Sequence, residues 1–205
     1  MPAQRSVIQT AIAATAAVLT AAGCATAQKF NEEQGRVSAV TEIAGEPTAT
    51  AKVRLAPFPG SPVEGRVSFT QFGAIVIVRA DFIGLAPNRE YGLHIHEKGD
   101  CTGGAGTGVG GHFNPAGTAH GRPGKGPHHA GDLPNVVTDG EGKTTYAVDT
   151  GEISLTDGSR SILGRSIVIS RDRDDYRTQP DGNSGPPLAC GFIRLDGGAF
   201  GVPLR

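Results

Sequence analysis

Between residues 51 and 82 the chain alternates. Ala51 to Leu55 and Gly65 to Gln71 set apolar residues against polar ones with a period of two, the pattern of strands with one buried face. Ala74 to Phe82 is more continuously apolar, and Ala86-Pro87-Asn88 is turn chemistry leading into Tyr91-Gly92-Leu93-His94-Ile95-His96. Further strands are predicted at Val136 to Thr138, Thr144 to Val148, Ile153 to Leu155, Ser166 to Ser170 and Gly191 to Leu195, with Asp139-Gly140 as a hairpin turn. About eight short strands without a helical period predict an all-β sandwich or barrel.

The first residues read differently. Arg5 is followed by an Ala/Val/Ile/Leu-rich run from Val7 to Ala22, too short for a spanning helix and suited to a secretory signal peptide. Leu19-Thr20-Ala21-Ala22-Gly23-Cys24 has the form of a bacterial lipobox, which makes residues 1–23 the signal and Cys24 a lipid-modified first residue. Ala25-Thr26-Ala27 offers ordinary cleavage before Gln28 instead, with Cys24 discarded. The lipobox gives a role to the odd member of three cysteines, since Cys101 and Cys190 can pair in an oxidising compartment. Residues 24–47 are polar and read as a tether, and residues 48–205 as the domain. The expected location is therefore the periplasm or cell envelope, with a membrane met only through the lipid anchor.

Composition adds two constraints. With 31 Gly, no Trp and 5% aromatic residues, the chain suits turn-rich β structure better than packed helices. A net charge of -1 without any long Lys/Arg run gives no footprint for nucleic acid.

The chemistry lies between Tyr91 and Asp132, a stretch that holds all 6 histidines of the chain. His94 and His96, two apart on a strand, point to the same face. His112, His120, His128, His129 and Asp132 follow a Gly-rich run from Gly99 to Gly111. Imidazoles joined by a carboxylate suit a tetrahedral zinc. Ordering that loop costs roughly 1–2 kcal/mol per residue, so metal ligation and a bridge at Cys101 are the expected fixatives.

Gly92-Leu93-His94-Ile95-His96-Glu97, Gly111-His112-Phe113-Asn114-Pro115, His129-Ala130-Gly131-Asp132-Leu133, Gly164-Arg165-Ser166 and Leu188-Ala189-Cys190-Gly191 resemble the copper/zinc superoxide dismutases of bacterial type, in family order. The resemblance implies an eight-stranded Greek-key β-barrel with two long metal-binding loops. It implies copper on His94, His96 and His112, and zinc on His112, His120, His129 and Asp132, with the His112 ring bridging the ions. It further implies a Cys101–Cys190 disulfide, and Asp174 as a carboxylate linking a copper and a zinc histidine. The implied partners are superoxide or a copper ion, and a homodimer is compatible with the likeness.

Two positions depart from the family pattern. Ser170 stands where the family has its fourth copper histidine, and Pro187 where it has an arginine that attracts superoxide. His128 has no assigned role and is expected to be solvated. Three histidines suit copper(I), whereas copper(II) prefers four tetragonal donors and a neutral hydroxyl is a poor one. The expectation is a dismutase of reduced efficiency. The alternative is a non-enzymatic, zinc-stabilised protein of the same fold that stores or delivers copper. A domain keeping only zinc and the disulfide would have no use for His94 and His96.

Overall fold

The computed structural model describes residues 45–196. The signal, the Cys24 lipobox and all but the last residues of the tether lie outside the described residues. The strands are β1 (Ala49–Pro57), β2 (Glu64–Phe72), β3 (Ile75–Ile83), β4 (Glu90–Tyr91), β5 (Leu93–His96), β6 (Val136–Val137), β7 (Tyr146–Thr150), β8 (Ser166–Ser170) and β9 (Pro187–Phe192), with a 3-10 helix at Gly104–Val109. Seven form one antiparallel sheet in the order β5-β8-β9-β1-β2-β3-β7, and β4 pairs with β6. The curled sheet is a β-barrel, with β9 returning from the far end of the chain to lie beside β1.

The period-two pattern becomes two faces. Val53, Leu55, Val67, Phe69, Val78 and Ile169 point inward, where they join Leu93 and Ile95 in one apolar core. Lys52, Arg54 and Arg79 point out. A second, smaller cluster lies outside the barrel wall, where Val168 and Cys190 pack against Phe58, Val109 and Cys101 beneath the Gly-rich loop. The Cys101–Cys190 disulfide pins that loop to β9. Closing a segment with a sequence separation of 89 residues contributes about 4.5 kcal/mol on chain-entropy grounds.

Three sequence expectations need correction. Ile153 to Leu155 is not a strand. Its Leu155 N–H donates to the side-chain oxygen of Gln71 at 2.6 Å, and only an isolated bridge joins Ser154 to Ser161. Both apolar residues still plug the core, which is why they read as a strand. The turn at Asp139-Gly140 is a longer loop closed by the Thr138–Thr144 bridge, with the left-handed residue at Gly142. Asp139 caps it by accepting from the N–H groups of Glu141 and Lys143. The last strand begins at Pro187 and ends at Phe192, four residues before and three residues short of the expected limits. Proline is tolerated there because the first residue of a strand need not donate to the ladder.

Candidate metal centre

β5 aims the first two histidines. Leu93 and Ile95 are buried in the barrel, so His94 and His96 stand on its outer face. The backbone at Ile95 then holds the metal loops in place: Ile95 N–H donates to Gly131 O at 2.9 Å, Phe113 N–H to Ile95 O at 2.8 Å, and Gly131 N–H to Phe113 O at 2.8 Å. Those three bonds deliver His112 and the His129–Asp132 turn to the same point. Gly131 is required, because a Cβ there would collide with the carbonyl of Ile95.

His112, His120, His129 and Asp132 bring their ligand atoms within 4.8 Å of one another, and all four are buried. The Asp132 carboxylate lies 2.8 Å from His112 Nδ1, 3.0 Å from His120 Nδ1 and 3.2 Å from His129 Nδ1. Yet Nδ1 of His120 and Nδ1 of His129 make no hydrogen bond, although buried. These two nitrogens and the carboxylate converge on a shared point instead of on each other. Three nitrogens and one oxygen so arranged fit a tetrahedral zinc. Burial alone would raise the Asp132 carboxyl, but the bond from His112, the close His120 ring and the bond from the His129 N–H hold it far below the ordinary carboxylate range. Burial likewise opposes charge on His120, but Asp132 and Asp174 on either side of the ring pull it up to about 10. A ring trapped between two carboxylates marks a place built for a cation.

On the other side of the His112 ring the geometry repeats with fewer members. His94 Nε2 is 2.9 Å from Asp174 Oδ2. A carboxylate only accepts, so that nitrogen carries the proton and the buried, unbonded Nδ1 offers a lone pair. His96 Nδ1 donates to Gly110 O at 2.9 Å, which frees its Nε2 in the same way. The His94 and His112 rings stack at 3.9 Å between centroids, and His96 meets His112 edge-on at 5.0 Å. Burial, followed by the neighbouring His112, lowers His94 to about 4 and His96 to about 3. Both rings are neutral near pH 7 and ready to bind a soft or borderline metal.

Asp174 joins the halves. Its second oxygen accepts from His120 Nε2 at 2.9 Å, so one carboxylate orients a ring of each set. Burial would raise this acid too, but the bonds from His120 and His94 bring it down to about 2. Gly182, at φ 65°, backs the link, where a Cβ would strike both Asp174 and His120.

Two partners were not anticipated from sequence. Asn135, buried, accepts from the Asp174 N–H at 2.9 Å and donates to its carbonyl at 2.9 Å. Gln179 clamps the backbone of His120 from both sides, at 2.9 Å each. An Asn three residues after Asp132 and a Gln five after Asp174 carry no pattern that marks them.

The two departing positions are neighbours. Ser170 pairs with Pro187 across β8 and β9, at an irregularity in the register. Arg171, the adjacent cation, is exposed and tied to Asp172 through bonds of 3.1 and 2.9 Å. His128 is half-buried where a solvated ring was expected, donates Nδ1–H to Gly126 O at 2.7 Å and is not among the four converging ligands.

The comparisons with known proteins agree with this arrangement. A sequence model of copper/zinc superoxide dismutase (SODC) matches residues 63–193. The chain is 41% identical over 138 residues to a superoxide dismutase [Cu-Zn] of Paramecium bursaria Chlorella virus 1, covering 64% of this chain and 73% of that one. It is 37% identical over 136 residues to superoxide dismutase [Cu-Zn] 2 of Aquifex aeolicus (strain VF5), covering 64% and 80%. The crystal structure of the clock protein EA4 superposes with a TM-score of 0.65 at 35% identity, covering 76% of this chain and 99% of that one. The chain belongs to the copper/zinc superoxide dismutase family. Membership implies copper and zinc as its cofactors, and the four converging ligands fit the second of these.

Proposed function

We propose that this is an extracytoplasmic metalloprotein that holds zinc on His112, His120, His129 and Asp132 and copper on His94, His96 and His112. It converts superoxide to hydrogen peroxide and oxygen with reduced efficiency. The observation that carries this reading is the pair of unused lone-pair sets on either side of the His112 ring, tied together by Asp174. Bound copper supplies the one-electron exchange with superoxide. The chain's own residues do the rest. Asp174 and the Gly110 carbonyl fix the His94 and His96 tautomers, Asp132 orients His112, and Cys101–Cys190 anchors the loop that carries Gly110.

The reduced efficiency follows from the positions next to each other in β8 and β9. Ser170 offers a hydroxyl in place of a nitrogen, and Pro187 neither charge nor donor to a small anion. A positioned charged donor is worth roughly 1.5–3 kcal/mol, or one to two decades in rate. The same pair supports a second reading, a zinc-stabilised protein that stores or hands on copper without turnover. Export, and attachment through Cys24 with residues 24–47 as tether, belong to the proposal and rest on the lipobox pattern.

Metal analysis of the purified protein after loading with both ions, alongside a superoxide assay, tests the proposal. Zinc and copper near one equivalent each with measurable dismutation is the expected result. Both metals without dismutation select the storage reading, and zinc alone at full occupancy contradicts both.

A further inference from the structure

Among the described residues three that are not glycine have φ in the left-handed region, and two of them, Asn88 and Asn183, are asparagines, which tolerate it. The third is Tyr176, at φ 59°. A bulky aromatic residue in that region is an outlier, and such strain persists only where the surroundings fix it from several sides. Tyr176 follows Asp174 by two residues, in the connection between β8 and β9 that carries the carboxylate joining the two histidine sets.

Its contacts form a closed circuit of hydrogen bonds. The Tyr176 N–H donates to Asp174 Oδ1 at 2.7 Å, the same oxygen that accepts from His120 Nε2. At the far end of the side chain, the Tyr176 hydroxyl accepts from the Asn135 N–H at 2.7 Å. Buried Asn135 accepts from the Asp174 N–H and donates to the Asp174 carbonyl, so the circuit returns to the residue where it began. Asp175 pins the backbone in between: its N–H donates to Gly182 O at 2.9 Å, and its carboxylate accepts from the N–H groups of Arg177 and Thr178 at 2.8 Å. From the zinc side Arg122, two residues after His120, lies over the Tyr176 ring at 5.5 Å from its centroid.

We propose that Tyr176 is a positioning residue for both histidine sets, fixing the rotation of the Asp174 carboxylate so that Oδ1 meets His120 and Oδ2 meets His94. Its consequence for bound metals rests on the function proposed above, whereas the circuit consists of the chain's own bonds. The terminal torsion of an aspartate is soft, and without a partner beyond the two imidazoles the carboxylate could turn away from either ring. The Tyr176 amide on Oδ1 and the Asn135 bonds on both backbone groups of Asp174 remove that freedom. The phenol supplies the reach: a side chain without the hydroxyl leaves the Asn135 N–H with no acceptor in a buried place. The left-handed φ is what it takes to set one residue's amide at the carboxylate and its hydroxyl at Asn135. Loss of the hydroxyl should therefore loosen both imidazole bonds to Asp174 together.

The test uses the purified protein loaded with zinc and left without copper, with exchange of the His94 and His120 Nε2–H protons followed by nitrogen-15 NMR. Tyr176→Phe keeps the ring beneath Arg122 and removes the acceptor, and both protons should exchange at least about tenfold faster than in the wild type. Val53→Ala, a loss of packing in the barrel core away from the circuit, should leave both rates within about twofold. Arg122→Ala should quicken both by about two- to threefold, as a weaker disturbance of the same ring. Tyr176→Phe rates within about twofold of the wild type overturn the inference, as does acceleration at one ring alone or an equal acceleration in Val53→Ala. If Tyr176→Phe does not fold, the wild type decides: its Asn135 amide should exchange as slowly as the amides of β1 and β2, and exchange at the rate of an open loop overturns the inference. A wild type that takes no zinc overturns the proposed function instead, and the same comparison on the metal-free protein then decides this inference by itself, because none of its bonds involves a metal.

Discussion

The two sides of the His112 ring are built from the same materials and differ in completeness. On the zinc side four ligand atoms converge, and backbone N–H groups of Gly121 and His129 brace the Asp132 carboxylate at 3.2 and 2.8 Å. On the copper side three imidazoles face one region, and the strand that could supply another donor ends in Ser170 beside Pro187. The zinc set is wholly buried, whereas His96 is only partly so. A closed set of ligands behaves as a structural site, and an open one exchanges its ion and admits other molecules. On the proposed assignment, one fold keeps its metal staple intact while its reactive site is altered.

The largest effect is expected from removing the brace of the closed side. Asp132→Ala leaves His112, His120 and His129 without their shared carboxylate and should abolish stoichiometric zinc binding. Stability should fall by about 3–5 kcal/mol, read as a drop in denaturation midpoint that added zinc does not restore. Copper binding should weaken as well, since His112 loses its orienting partner; if it does not, the two sides are independent.

Next comes the repair of the open side. Ser170→His should tighten copper(II) at least about tenfold and raise dismutation, with little change in zinc affinity. Asp174→Asn loosens the link between His94 and His120. It should cost about 10–100-fold in metal affinity on both sides, whereas an effect on one side only would show that the carboxylate serves a single ring. Pro187→Arg should raise the rate by one to two decades, roughly 1.5–3 kcal/mol, and its benefit should fade with salt.

The smallest effect separates the sides by pH. In the metal-free protein the two carboxylates hold a proton on His120 up to about 10, so zinc must displace it. Apparent zinc affinity should therefore rise about tenfold per pH unit between pH 7 and 9, with about one proton released, as calorimetry in two buffers would show. His94 and His96, lowered to about 4 and about 3, are already neutral there and add no proton release to copper uptake.

Much of this was legible in the chain. Alternation located β1 and β2, because each has one face in the barrel and a strand register cannot slip without exposing it, while short apolar runs located β3 and β8. The His-x-His pair and the later histidines with Asp132 announced a metal site, since four such side chains seldom gather otherwise. Other features were hidden because they depend on distant backbone. Asn135 and Gln179 act on main-chain groups 39 and 59 residues away, and polar side chains bonded to backbone leave no periodic trace. Ile153 and Leu155 looked like a strand because burial, not pairing, sets their alternation. That Ser170 and Pro187 are cross-strand neighbours also required the fold, since they lie 17 residues apart in sequence.

Crystals of the protein loaded with both ions, measured above and below the copper and zinc absorption edges, test the central claim most directly. The account predicts a zinc peak among His112, His120, His129 and Asp132, and a copper peak facing His94, His96 and the opposite nitrogen of His112. A His112 ring turned away from either set, or a single ion type filling one site with the other side bare, would contradict it.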